Sequence, residues 1–73
     1  MALELREPAS VKLEVLDLSG RRIRTLWSGP LAAGRRTVMW DGRANDDRNV
    51  AGVYWLVATS RGERLATKVV WIP

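Results

Sequence analysis

Val11-Lys-Leu-Glu-Val15 and Val53-Tyr-Trp-Leu-Val-Ala-Thr59 decide the fold class. In the first, Val11, Leu13 and Val15 alternate with Lys12 and Glu14, so a strand there has an apolar face and a charged one. The second is dense in β-branched and aromatic residues, which fit a pleated, half-buried surface. Helical periodicity is weak throughout the chain.

Working outward from these runs, Asp17-Leu-Ser-Gly20 is turn chemistry, with Gly20 free to take positive φ. Arg22 to Trp27 resumes an extended pattern and completes a hairpin, and Ser28-Gly-Pro-Leu-Ala-Ala-Gly34 reads as a breaker-rich connection. Arg35 to Trp40 predicts another strand, with Val38 and Trp40 on one side and Thr37 and Met39 on the other. Asp41 to Asn49 is a polar loop. Ser60-Arg-Gly62 turns the chain into a last strand from Glu63 to Ile72, closed by Pro73. An edge strand at Ala2 to Arg6, ahead of Pro8, brings the total to about six. Short strands at this spacing, separated by Gly and Pro turns, predict an all-β sandwich or barrel. With no repeat or linker, residues 1–73 read as one domain, Met1 being an added start.

A chain of 73 residues sits near the lower size limit for independent folding, and it has no Cys to supply a disulfide or a thiolate metal site. Stability must come from apolar burial, for which the 47% hydrophobic content and four Trp are suited. No run approaches the ~20 apolar residues of a membrane helix. Met-Ala-Leu-Glu-Leu-Arg-Glu-Pro8 is not a signal peptide, so any export signal is expected elsewhere on a longer parent chain.

There is no His, which rules out Ser-His-Asp, Cys-His and His-metal arrangements. Carboxylates cluster only at Asp41, Asp46 and Asp47, and a sandwich this small has little volume for a catalytic cleft. Gly29 to Gly34 lacks the Lys-Ser/Thr of a phosphate loop. No enzymatic activity and no cofactor are expected. Asp41, Asn45, Asp46 and Asp47 offer hard oxygen ligands of the kind calcium takes, but their spacing does not match the twelve-residue calcium loop, and Arg43 and Arg48 oppose a cation. The preferred reading is a solvated loop in which the Asp41 carboxylate accepts backbone N–H bonds, with no metal.

The formal net charge is +4, and of twelve basic residues only Lys12 and Lys68 are lysines. Arg21, Arg22, Arg24, Arg35 and Arg36 are expected to converge at one edge, which with Trp27 as a stacking platform would suit nucleic acid. A charged, soluble surface guarding an edge strand is the preferred account. Among the aromatics, Trp40 shares a face with Val38, and Trp71 with Leu65 and Val69, so both belong in the core. Tyr54, Leu56 and Ala58 point inward, which turns Trp55 and Val57 outward. Leu16, Met39, Trp55 and Val57 are then expected to form an apolar docking patch. A sugar platform of Trp27 and Trp55 ranks lower, because nothing polar is placed to orient a sugar.

Val15-Leu-Asp-Leu-Ser-Gly-Arg-Arg-Ile-Arg-Thr-Leu26, Leu31-Ala-Ala-Gly34, Trp40-Asp-Gly-Arg43, Gly52-Val-Tyr54 and Thr67-Lys-Val-Val70 carry a resemblance in their order and spacing. Together they resemble the Ig-like domain of flagellar hook-capping proteins. They equally resemble its relatives at the C-termini of secreted bacterial enzymes, where the domain is similar to the type IX secretion sorting domain. The resemblance implies an immunoglobulin-like antiparallel β-sandwich of about six to seven short strands that does no chemistry. Gly20, Trp40, Asp41, Gly42, Gly52 and Tyr54 are its structural signature. Trp40 would fill the core, Gly42 would permit a turn, and Tyr54 would bury its ring while its hydroxyl finds a backbone partner.

Two departures stand out: the loop Ala44-Asn-Asp-Asp-Arg-Asn-Val50 is one residue shorter than usual and lacks the Asp-x-x-Gly turn, and the terminus Trp71-Ile-Pro73 lacks the basic end of sorting domains. The expected function is a C-terminal accessory module of a secreted bacterial protein, at the cell surface or outside the cell. It would act in export sorting or docking, with Thr67, Lys68, Val69 and Val70 as the sorting strand. Its partner would be the export machinery, a parent catalytic domain or a neighbouring subunit. The alternatives are a structural assembly module like the hook-cap domain and, last, a carbohydrate- or nucleic-acid-binding module.

Overall fold

The computed structural model describes residues 1–46, 48 and 50–72. Six strands follow in order: β1 (Ala2–Leu5), β2 (Ala9–Leu16), β3 (Arg22–Leu31), β4 (Gly34–Thr37), β5 (Gly52–Ser60) and β6 (Glu63–Trp71). They form a four-stranded sheet in the order β3-β2-β5-β6 and a two-stranded sheet of β1 and β4. Every pairing is antiparallel. The architecture is the expected all-β sandwich.

One face of the large sheet is set by the alternation in β2 and carried across the ladder. Leu13 lies opposite Ala58, and Val15 opposite Leu56; residues directly opposite in an antiparallel pair share a face. These four join Val11 in one cluster with Leu3 of β1 and with Val38, which follows β4. The small sheet therefore packs on the inner face of the large one. Val15 at 0% exposure and Leu56 at 2% mark the centre of this core.

Three details depart from the sequence-based expectations. β3 does not stop at Trp27, because Gly29 pairs with Val11 and Pro30 with Ser10. β3 is an edge strand, where a missing Pro N–H costs no ladder bond. β4 ends at Thr37 rather than reaching Trp40. Val38 instead exchanges backbone bonds with Met1, its N–H donating to the Met1 carbonyl at 2.7 Å and the Met1 amine donating to the Val38 carbonyl at 3.1 Å. Leu65 faces inward as expected, opposite Ala58, but is 52% exposed, since a two-stranded layer does not reach across four strands. Pro73 lies outside the described residues.

Candidate functional site

Of the expected signature, Trp40, Asp41, Gly42, Gly52 and Tyr54 gather in one region of the sandwich, while Gly20 lies in the turn between β2 and β3. Trp40 and Tyr54 stack edge-to-face with ring centroids 5.1 Å apart, and Trp71 approaches Trp40 at 6.4 Å. Both geometries suit the ring quadrupole. Trp40 and Tyr54 are half-buried and pack against the core cluster. The expected partner of the Tyr54 hydroxyl is not among the hydrogen bonds of the described residues, whereas the ring lies against Gly52.

The loop after Trp40 is locked by short-range bonds. Trp40 Nε1 donates to the Arg43 carbonyl at 2.8 Å, and the Arg43 N–H donates to Asp41 Oδ1 at 3.1 Å. Between them Gly42 takes φ +79°, and its Cα is pressed against the Trp71 indole so closely that no Cβ fits. The Val50 N–H donates to the Gly42 carbonyl, closing the loop. The Asp41 carboxylate thus does what a turn-fixing Asp does.

Further along, the loop is laced to β3. Asn45 N–H donates to the Ile23 carbonyl at 3.1 Å, and Asn45 Oδ1 accepts from Thr25 N–H at 3.1 Å. The Arg24 guanidinium donates to the carbonyls of Ala44 and Arg43. Sequence reasoning weighed Asn45 among the oxygen donors of a solvated loop and missed this role on β3. Asp46 Oδ1 accepts from Arg48 N–H, and Asp46 Oδ2 faces Arg48 Nε at 3.6 Å. Of the oxygen donors weighed for calcium, Asp41, Asn45 and Asp46 each accept a bond within the loop or from β3; Asp47 and Asn49 lie outside the described residues. At the other turn, Asp17 Oδ1 accepts from the Ser19 N–H, the Ser19 hydroxyl and the Arg21 N–H, and Gly20 takes φ +91°. These bonds, the Ser19 hydroxyl foremost and the Arg21 N–H next, hold the Asp17 carboxyl below its usual range.

The arginines do not converge. Arg21 and Arg22 sit at the start of β3, pairing with Asp17 and Glu14. Arg35 and Arg36 lie on β4 in the small sheet, Arg35 pairing with Glu4 and Arg36 donating to the Ala32 carbonyl.

The expected docking patch is brought together in part. Leu16 and Trp55 are direct partners on the outer face, with Lys68 opposite Trp55 and its ammonium 5.6 Å from the Trp55 ring centroid. Val57 shares this face but is only 2% exposed. It is flanked by Glu14 and Ala66, on a strand with a neighbour on each side. Met39 is 81% exposed on another side of the molecule, lining a hollow with Leu13, Leu26 and Trp27. It lies beyond β4, in a segment that never joins the large sheet. Val53 and Val70 are the apolar neighbours that sequence reasoning left out of this face; they are direct partners, and Val70 is 61% exposed. Trp27 pairs with inward-facing Leu13, so it forms no common platform with Trp55. Thr67, Lys68, Val69 and Val70 all lie on β6, alternating between the two faces.

The comparisons agree with this geometry. The family model of the FlgD Ig-like domain matches residues 1–63. Two curated relatives, each a basal-body rod modification protein FlgD, come from Salmonella typhimurium and Salmonella typhi. Each is 40% identical over 60 residues, covering 80% of this chain and 26% of the relative. The chain thus spans about a quarter of the length of the curated relatives it matches. No solved structure matches.

Proposed function

Because the chain belongs to the FlgD Ig-like domain family, we propose that it is a non-catalytic assembly module, working by protein–protein contacts within a longer bacterial chain. The observation that carries this reading is the 40% identity to flagellar basal-body proteins across 80% of the chain. The locked Trp40–Arg43 corner fits a structural role, since its polar groups are spent on holding the loop. This favours the assembly role over export sorting. The sorting role rests on the resemblance alone, with Thr67–Val70 as its strand.

The test is a chimera in which this module replaces the matching segment of the Salmonella typhimurium relative. Restored swimming in a strain lacking that protein supports an assembly module. A folded, expressed chimera that leaves cells immotile overturns it. The sorting role is tested by fusing the module to the C-terminus of a periplasmic fluorescent protein in a bacterium with type IX secretion. Surface fluorescence that is lost on deleting residues 67–73 supports sorting.

A further inference from the structure

Ion pairing is not even over the surface. Arg35 faces Glu4, Arg61 faces Glu7, Arg21 faces Asp17 and Arg48 faces Asp46, each cation with a carboxylate of its own. The outer face of the large sheet is different. Cross-strand register sets Arg22 and Lys68 in one row with Leu16 and Trp55, and Lys12 and Arg64 in another with Thr59. On these strands the four cations share a single carboxylate: Glu14 lies 3.6 Å from Arg22 and 3.9 Å from Lys12. Among the described residues no carboxylate pairs with Arg64 or Lys68. Four cations against one carboxylate give this face +3 of the chain's net +4. A surface that serves solubility alone intersperses both signs. Beside the cations lie half-buried Trp55 and the direct partners Val53 and Val70, which are 36% and 61% exposed. The small sheet packs on the inner face, so it leaves this one uncovered.

We propose that this face docks an acidic partner, a separate protein subunit presenting carboxylates around an apolar centre. The inference rests on the assembly reading and names the chemistry of the surface that reading needs. Charge selects the occupant. Complementary potentials steer and orient a complex, and like charges across an interface suppress wrong partners. A second copy of this chain is a wrong partner by that rule, because two such faces would oppose cation to cation. The composition favours protein over nucleic acid. Cations beside an exposed apolar centre with a Trp match the anatomy of a protein interface. A nucleobase would stack on the Trp55 ring, where the Lys68 ammonium already sits 5.6 Å from the centroid.

Titration of the 73-residue chain with a synthetic peptide, apolar at its centre and glutamate-rich at both ends, tests this by amide NMR. Shifts are expected at Trp55, Ala66 and Lys68. Affinity should fall about tenfold in Lys68→Glu and hold in Arg6→Glu, which makes the same charge change beyond β1 in the small sheet. No binding through millimolar peptide, or equal losses in the two variants, overturns the proposal. So does tighter binding of a thymidine oligonucleotide or of phosphatidylglycerol vesicles with the same shifts, which would assign the face to nucleic acid or to a membrane. In the Salmonella chimera, Lys68→Glu should abolish swimming and Arg6→Glu should not. Chimeras that swim with either charge at residue 68 keep the assembly reading and overturn this one. An immotile parent chimera overturns the assembly reading, and the titration then decides the docking chemistry. If Lys68→Glu lowers the melting temperature of the purified chimera but not of the 73-residue chain, the parent chain itself covers the face, and a separate subunit is overturned.

Discussion

Gly42 and Trp71 are in such close contact that the indole occupies the space a Cβ on residue 42 would need. The contact joins the loop after Trp40 to the last strand. Gly42 and Gly62 both have φ +79°, but Gly62 has open space around it. Alanine at either position meets the same backbone strain, and only at Gly42 does it also displace a ring. Gly62→Ala is expected to cost about 1 kcal/mol and Gly42→Ala about 3 kcal/mol. Urea unfolding of the two variants measures the difference directly. Equal losses would mean that Trp71 yields without cost.

Asn45 is expected to act through β3. Asn45→Ala removes the acceptor of the Thr25 N–H and should cost about 1 kcal/mol. Hydrogen exchange reads the effect locally: protection of the Thr25 amide should fall, while that of the Leu56 amide changes only with global stability. An unchanged Thr25 amide would show that the loop does not hold this edge.

Leu56 is 2% exposed between the two layers. Leu56→Ala is expected to cost about 3 kcal/mol through lost burial and the cavity left behind, which would unfold much of a domain this small. Val53→Ala, three residues away on the opposite face, should stay within about 0.5 kcal/mol.

Asp17 gives the chain an acid dependence with a definite sign. Its folded pKa lies below the ordinary aspartate value because the Ser19 hydroxyl and the Arg21 N–H favour the charged form. The stability it contributes is therefore present above pH about 4 and is lost as pH falls through the folded pKa. Asp17→Asn keeps an acceptor but does not titrate. Its unfolding midpoint should fall less steeply between pH 4 and 2 than that of the parent, and identical slopes would remove Asp17 from the acid response.

The strands on either side of the hairpin turns were legible in the sequence because a two-residue period is a local property. Val11, Leu13 and Val15 declare an inner face without reference to anything else, and so do Leu56 and Ala58. The turns were legible for the same reason: Asp17 and Asp41 bond to amides two to four residues ahead. The excluded chemistry followed from composition, since a chain without His or Cys lacks those nucleophiles, bases and ligands wherever its strands lie.

Which strands become neighbours was not local. The Arg22–Trp27 and Arg35–Trp40 segments looked alike, but pairing sent β3 into the large sheet and β4 onto β1. That assignment scattered the arginines and separated Met39 from Leu16 and Trp55. Val57 reads as outward by alternation, and it is outward. Its burial comes from lying between β2 and β6, at the centre of a sheet whose width no single strand encodes. Burial and proximity sum over all neighbours, whereas the direction of a side chain depends only on its own backbone; periodicity therefore reports the second and is silent on the first.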